Sequence, residues 1–184
     1  MYKKLIKKDK GNQNYYINLA RAYIYEDNLK AAIKTYNDLE RVKGINHFTS
    51  IQKHKIYIEL KEFNSAAKEL EVLIENFPSD IEAYQMLSDC YILNNNFPKA
   101  LEVLKTLSVI DPNSASVHFT LSDFYLQEGD TAMYLQELFK AFSSSQLDPK
   151  YKINKFLPIL QSLESGGRRL ATKLIVNISS KRDQ

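Results

Sequence analysis

The chain has little of what disulfide-rich, β-rich and membrane-spanning proteins depend on. Its 184 residues include one cysteine, which excludes an internal disulfide framework and a zinc site built from cysteines. Five glycines and five prolines are too few turn formers for a sandwich or barrel of many strands. No run of about 18 apolar residues occurs, so the sequence predicts no transmembrane segment. The length of 184 residues is typical of a single domain or of one array of small repeats.

The net charge of +3 is the sum over two basic terminal segments and one acidic middle segment. Residues 1–46 carry ten basic and five acidic side chains, residues 47–146 carry seven and fourteen, and residues 147–184 carry eight and three. A nucleic-acid-binding surface is usually a continuous basic stripe, and the acidic middle segment would interrupt it. We therefore expect no nucleic-acid partner, although an RNA-binding helical repeat stays open as a third interpretation.

The dominant pattern is a period of 34 residues. Four successive segments align without gaps, and each has a tyrosine at its eleventh position: Tyr23, Tyr57, Tyr91 and Tyr125. Within each segment the apolar and small residues recur at the spacing of one helix face. A stretch such as Asn94-Asn95-Asn96 separates two such faces and favours a turn. Each segment therefore predicts a first helix (helix A), a tight turn and a second helix (helix B), stacked on its neighbours.

The residues at these positions resemble the tetratricopeptide repeat (TPR), which has a large aromatic residue, Leu-small, Tyr, Ala and a closing Pro at fixed spacing. The third segment matches most fully, with Tyr84, Leu87, Ser88, Tyr91, Ala100 and Pro112. The resemblance is to bacterial-type arrays and implies an all-α fold, an α-solenoid in which stacked helix-turn-helix repeats form a right-handed superhelix. The second segment departs from the pattern, because Lys53 and His54 replace Leu-small. We expect its helix A to pack less tightly there.

The register predicts one TPR array over the whole chain. Its parts are residues 1–12 as the end of a preceding repeat, 13–46 as repeat 1, 47–80 as repeat 2, 81–114 as repeat 3, 115–151 as repeat 4 with a lengthened closing loop, and 152–184 as a divergent fifth helical pair. We expect a fragment of a longer protein, so its localisation is open between the cytoplasm and the bacterial cell envelope. Apolar residues at the array ends, such as Leu5 and Leu174, predict self-association.

No catalytic or metal-binding constellation is recognisable in the sequence. His47 and His54 are seven residues apart, without a carboxylate or cysteine at metal-ligand spacing. His118 stands at a packing position of its repeat, and Cys90 is expected to be a small buried residue of a helix A. We predict that the chain is not an enzyme and holds no metal or cofactor.

The resemblance also implies a groove for a protein or peptide ligand, since helices A line the concave face of TPR arrays. Carried over residue by residue, the candidate groove residues are Ile17, Arg21, Tyr25, Ile51, Lys55, Gln85, Asp89, Phe119 and Asp123. Further groove positions include Phe48, Leu93 and Leu126. The residues at the ninth position of the repeats change sign along the array, from Arg21 and Lys55 to Asp89 and Asp123. The lysine and asparagine set that clamps chaperone tails is absent, which disfavours a chaperone adaptor.

These observations predict a non-catalytic scaffold that binds a polypeptide segment in its concave groove. The alternative is a regulatory or substrate-recruiting TPR module from a larger multidomain enzyme or signalling protein. The open reading frame on both sides of the chain would distinguish the two interpretations.

Overall fold

The computed structural model describes residues 1–145, 147–148 and 150–154. Over these residues the chain forms nine α-helices described in full, a further helical stretch at residues 150–154, and no strand. The helices described in full are α1 (Tyr2–Lys8), α2 (Gln13–Tyr25), α3 (Leu29–Lys43), α4 (His47–Glu59), α5 (Phe63–Asn76), α6 (Ile81–Leu93), α7 (Phe97–Ile110), α8 (Ala115–Gln127) and α9 (Thr131–Ser143). Residues 155–184, which hold most of the predicted fifth helical pair and Leu174, lie outside the described residues.

The helices repeat with the period seen in the sequence. Helices α2, α4, α6 and α8 each begin 34 residues after the previous one, and so do α3, α5, α7 and α9. The first set are therefore the helices A and the second set the helices B. Helix α1 ends at Lys8, two periods before the end of α5 at Asn76, and has the register of a helix B.

The turn between helix A and helix B is the same in every repeat. The residue at the fifteenth position has a positive φ in all four repeats, at Asp27 (56°), Lys61 (57°), Asn95 (55°) and Gly129 (76°). The backbone N–H of the next residue donates to the carbonyl of the recurring tyrosine, at 2.8 Å in the first three repeats and 2.9 Å in the fourth. This is the Schellman arrangement that closes a helix with one left-handed residue.

Side-chain caps start many of the helices. Asn28 at the start of α3 and Asn46 at the start of α4 accept from the backbone N–H three residues on, at 3.3 and 3.1 Å. Asp80 and Asp130 do the same for α6 and α9, both at 3.0 Å. Each cap offers an acceptor to an N–H of the first helical turn, which has no carbonyl four residues earlier within the helix.

Two compact units can be distinguished, Met1–Val103 and Leu104–Gln184. In the first, α2 packs against α3, α4 against α5, and α5 against α6, while α1 packs on α2 and α3 on α4. Ala20, Ala32 and Ala66 are fully buried where these helices approach each other. In the second unit α8 packs against α9, and Leu138 and Ala141 are buried there. Small residues at the crossings allow the close approach that the repeat pattern requires.

The expectation that α4 packs less tightly at Lys53 and His54 is wrong. Lys53 is 4% exposed, and its Nζ lies 2.6 Å from both Glu40 Oε2 and Glu69 Oε2. His54 is 5% exposed, and its Nδ1–H donates to the Ala66 carbonyl at 3.1 Å. Polar partners on the neighbouring helices replace the apolar contacts of the usual pair, which is how buried polar groups are accommodated.

Candidate functional site

The predicted groove residues of the first unit lie on three helices A. Arg21 and Tyr25 on α2, Lys55 on α4 and Asp89 on α6 are exposed to solvent. Tyr25 is 94% exposed, although a tyrosine ring has a large apolar surface. Two more predicted residues, Ile17 and Gln85, are partly exposed. We call these six residues the helix-A surface.

Ile51 differs from the other predicted groove residues because its side chain is 5% exposed. It belongs to the buried face of α4, together with Ile56. Little of Ile51 can therefore reach a ligand, and it is not part of the helix-A surface. Phe48, on the same helix, is 38% exposed and has its ring edge against Tyr36, with centroids 6.3 Å apart.

The charges of the helix-A surface are not neutralised by ion pairs with described residues. No carboxylate in the part of the chain that the structure describes pairs with Arg21 or Lys55, and no basic side chain there pairs with Asp89. Partial desolvation by neighbouring protein atoms raises the pKa of Asp89. These three charges are therefore available to a ligand.

In the second unit, the predicted residues Phe119 and Asp123 lie on α8. Asp123 is exposed, and Phe119 is partly exposed. The Phe119 ring meets the buried Phe142 edge-on, with centroids 5.3 Å apart, which holds the ring in one orientation. Leu126, three residues and therefore just under one helical turn beyond Asp123, is 56% exposed. This unit thus also has a carboxylate beside apolar surface.

The side chains that offer reactive chemistry are held in structural contacts. Burial raises the pKa of the Cys90 thiol to about 11, and its Sγ–H donates to the Phe63 carbonyl at 3.4 Å. His118 is 2% exposed, with Nδ1 at 2.6 Å from Glu137 Oε2 and Nε2–H donating to the Pro112 carbonyl at 3.0 Å. A buried thiol with a raised pKa is a poor nucleophile.

His47 has carboxylate neighbours that the sequence spacing did not indicate. Its Nε2 lies 3.4 Å from Asp80 Oδ2 and 3.3 Å from Glu82 Oε2. These residues are far from His47 in the chain, so a search by ligand spacing misses them. Among the described residues, no group of three or more His, Cys, Asp or Glu side chains has an arrangement that could hold a metal ion.

Sequence reasoning missed a cleft between α1, α2 and α3. The cleft has a volume of about 350 Å³. Its rim carries the exposed residues Lys3, Lys7 and Lys34, and its floor is largely apolar. Lys3 Nζ lies 5.3 Å from the centre of the Tyr23 ring, a cation–π contact. We call this the first cleft.

The architecture is that of a helical repeat array, in which paired antiparallel helices recur at a fixed period. Family models described as tetratricopeptide repeat match residues 13–43 and 57–118. The chain belongs to the tetratricopeptide repeat family, and the predicted family is confirmed.

Relatives and solved structures agree with this assignment. The chain is 22% identical over 144 residues to tetratricopeptide repeat protein 21B of Xenopus laevis, covering 77% of this chain and 11% of that protein. It is 28% identical over 111 residues to BBSome complex member BBS4 of Bos taurus, covering 60% and 21%. The chain thus spans less than a quarter of the length of these curated relatives.

Two similar solved structures have the same fold. A crystal structure of MamA has a TM-score of 0.63 at 19% identity, covering 92% of this chain and 91% of that one. YrrB, described as a TPR protein with an unusual peptide-binding site, has a TM-score of 0.60 at 19% identity, covering 84% and 79%. The predicted all-α solenoid of TPR helix pairs is confirmed. No helix within the described residues is both long and apolar enough to cross a membrane.

Proposed function

We propose that this TPR chain is a non-catalytic protein-interaction scaffold that binds a polypeptide segment on the exposed faces of its helices A. Helical repeat arrays characteristically use extended surfaces of this kind for binding. The observation that carries the proposal is the helix-A surface itself. It combines exposed apolar side chains, above all Tyr25, with the exposed charges Arg21, Lys55 and Asp89.

The chemistry of the helix-A surface indicates the kind of segment that fits it. Arg21 and Lys55 favour acidic residues in the ligand, and Asp89 favours a basic residue. Tyr25 and Ile17 offer apolar surface to hydrophobic side chains. Buried apolar anchors carry most of the affinity in such complexes, while complementary charges set the orientation and the rate of association. On α8, Phe119 and Asp123 offer the second unit's own combination of apolar and acidic groups.

Similarity of fold to YrrB supports the same class of ligand. That protein is described as having an unusual peptide-binding site, and it shares the helical-repeat fold with this chain at a TM-score of 0.60. In this chain, the exposure and charge of the side chains of the helix-A surface support binding there.

A peptide library displayed on phage and selected on the immobilised full chain tests the proposal. We expect enriched peptides with apolar residues, acidic residues towards one end and a basic residue towards the other. Arg21→Glu with Lys55→Glu should weaken the binding of an enriched peptide by about tenfold at low ionic strength, and by less at high ionic strength.

The matched control is Lys30→Glu with Lys68→Glu. It makes the same change of charge on helices B, where both lysines are exposed. We expect this control to bind the peptide like the unaltered chain. Equal loss in both double variants, or no loss in either, would contradict binding at the helix-A surface.

A second candidate function is a regulatory or substrate-recruiting module within a larger protein. The observation in its favour is that the chain covers 11% and 21% of the two curated relatives. The genomic reading frame on both sides of the coding segment tests it. In-frame sequence that continues into further domains would support the module, and stop codons directly flanking the segment would contradict it.

A further inference from the structure

The first cleft has an equivalent one period further along the chain. The first cleft lies between α1, α2 and α3, and the equivalent position lies between α3, α4 and α5, which we call the second cleft. Adding 34 to a residue number relates the two. Leu19 corresponds to Lys53, Ile6 to Glu40, Thr35 to Glu69 and Lys3 to Asn37. The two clefts therefore share their backbone setting and differ in their side chains.

The second cleft is filled by a side chain of the protein itself. Lys53 extends from α4 with Nζ 2.6 Å from Glu40 Oε2, 2.6 Å from Glu69 Oε2 and 3.1 Å from Asn37 Oδ1. The Lys53 side chain is 5% exposed. A cation on the helix A is thus enclosed by oxygen atoms from the helices B on both sides.

The first cleft has no side chain equivalent to the one that fills the second cleft. Leu19 stands in place of the buried lysine, and Ile6 and Thr35 stand in place of the two glutamates. Its positive charges lie on the rim, at Lys3, Lys7 and Lys34, and the last two of these positions are also basic in the second cleft, as Arg41 and Lys68.

Within the described residues, Glu26 is a carboxylate whose charge acts on Lys3, but the two form no ion pair. None of the three rim lysines forms an ion pair with any carboxylate there. Asp38 also borders the cleft, but its Oδ1 is 2.8 Å from Arg41 Nη1. The rim thus holds three exposed cations that have no ion-pair partner among the described residues.

The floor of the cleft is apolar. Ile6 from α1 and Leu19 and Tyr23 from α2 are partly exposed there, and Tyr16 is 4% exposed beneath them. The volume of about 350 Å³ is within the range of roughly 300–1,000 Å³ that ligand pockets occupy. An apolar floor under a cationic rim suits a ligand that carries an apolar group next to an anionic one.

We propose that the first cleft binds a segment of a protein partner in which an aromatic or aliphatic side chain is flanked by carboxylates. The apolar side chain enters the floor, and the flanking carboxylates lie against Lys3, Lys7 and Lys34. Lysine ammonium groups are mobile point charges that accept a carboxylate in several geometries. A polynucleotide fits less well, because its phosphate backbone leaves the apolar floor unfilled. The segment 47–146, in which acidic side chains outnumber basic ones, also repels phosphates.

The first cleft is a different surface from the helix-A surface of the proposed function. Successive residues on an α-helix are rotated by about 100°. On α2, the cleft residues Leu19 and Tyr23 therefore lie roughly opposite to Arg21 and Tyr25. The two surfaces can thus be tested independently, with separate variants.

Fluorescence anisotropy with the full chain and three labelled decapeptides tests the inference. The first peptide contains Glu-Glu-Phe-Glu, the second replaces each glutamate by glutamine, and the third replaces the phenylalanine by glycine. At low ionic strength we expect the first peptide to bind, and both controls to bind at least about tenfold more weakly. Inorganic phosphate and a single-stranded RNA should compete poorly with the first peptide.

Two variants of the chain locate the binding. The double variant Lys3→Glu, Lys34→Glu should bind the first peptide at least about tenfold more weakly. Leu19→Glu places a carboxylate at the position that Lys53 has in the second cleft. This carboxylate should pair with the rim lysines and so abolish binding of the first peptide. The matched control is Lys30→Glu with Lys68→Glu, since Lys68 is the equivalent of Lys34 in the second cleft. Circular dichroism establishes that each variant is folded.

The inference is overturned by any of three results: no binding of the first peptide, equal binding of its glutamine control, or unchanged binding by a folded Lys3→Glu, Lys34→Glu chain. The inference would also be overturned if RNA or phosphate displaced the labelled first peptide at concentrations at which the same peptide without label does not displace it. A parallel measurement tests the helix-A surface separately. It compares the affinity of a display-selected peptide for the unaltered chain and for the Arg21→Glu, Lys55→Glu variant.

Discussion

Lys53 shows how a single residue can depart from a repeat pattern and still stabilise the fold. Its ammonium group is surrounded by Glu40, Glu69 and Asn37 from two other helices. A buried ion pair is strongly destabilised when one partner is removed, because the other charge is left without compensation. Replacing the whole set by apolar or neutral groups is often neutral or stabilising.

We expect Lys53→Met to lower the free energy of unfolding by about 3–5 kcal/mol, since it leaves two glutamates without their counter-ion. The triple change Lys53→Leu, Glu40→Ile and Glu69→Thr copies the side chains of the first cleft and should recover most of that loss. Urea denaturation of both variants measures the difference. A triple variant less stable than Lys53→Met would contradict this account of the network.

His54 makes stability depend on pH in a predictable direction. Burial is the main cause that lowers its pKa, and the charge of Lys55 acts in the same direction, while the hydrogen bond to Ala66 opposes both. The folded protein therefore holds a neutral imidazole, whereas the unfolded chain takes up a proton below about pH 6.5. The contribution to stability is complete above that pH and is lost as the pH falls towards the lowered pKa of the folded state.

His54→Gln tests this, because a glutamine can donate to the Ala66 carbonyl and does not titrate. Unfolding free energies from urea denaturation at about pH 7.5 and about pH 5.5 should show a smaller acid-induced loss for the variant than for the unaltered chain. Identical losses in the two proteins would show that His54 does not contribute to the acid sensitivity.

At the scale of the helix, the turn between helices A and B is a recurring element with unequal residues. Gly129 adopts its positive φ without strain, and a Cβ built there would meet no atom within 4 Å. Lys61 adopts almost the same conformation, with φ of 57°, at the steric cost that a side chain has in the left-handed region.

We therefore expect Lys61→Gly to stabilise the protein by about 0.5–1 kcal/mol and Gly129→Ala to destabilise it by about 1 kcal/mol. Both changes in stability can be measured from the midpoints of urea denaturation, provided that the dependence of the unfolding free energy on urea concentration is unchanged. A destabilised Lys61→Gly variant would mean that the lysine side chain makes a stabilising contact outweighing the strain.

The helices and their period could be predicted from the sequence, because the spacing of Tyr23, Tyr57, Tyr91 and Tyr125 is a local property of the chain. The burial of Lys53 could not, since its counter-ion Glu40 belongs to the preceding helix B. Ile51 shows the same limit: family positions indicated an exposed residue, and packing around α4 buries it. The first cleft was missed because α1 supplies two of its three rim lysines from outside the four aligned segments.

At the scale of the whole molecule, association between copies stays a prediction. Tyr2, Leu5 and Ile6 on α1 are each partly exposed, and exposed apolar surface promotes association. Sedimentation velocity at increasing protein concentration should show a rising average sedimentation coefficient. Leu5→Lys with Ile6→Lys should reduce the rise if α1 takes part, and a monomer at every concentration would contradict the prediction.

We propose that the helix-A surface binds a polypeptide. The most direct measurement is the change in backbone amide chemical shifts of the full chain, labelled with ¹⁵N, on titration with a display-selected peptide. We expect the largest changes on the exposed faces of α2, α4 and α6, around Arg21, Lys55 and Asp89. Changes confined to the helices B α3 and α5 at saturating peptide would contradict the claim.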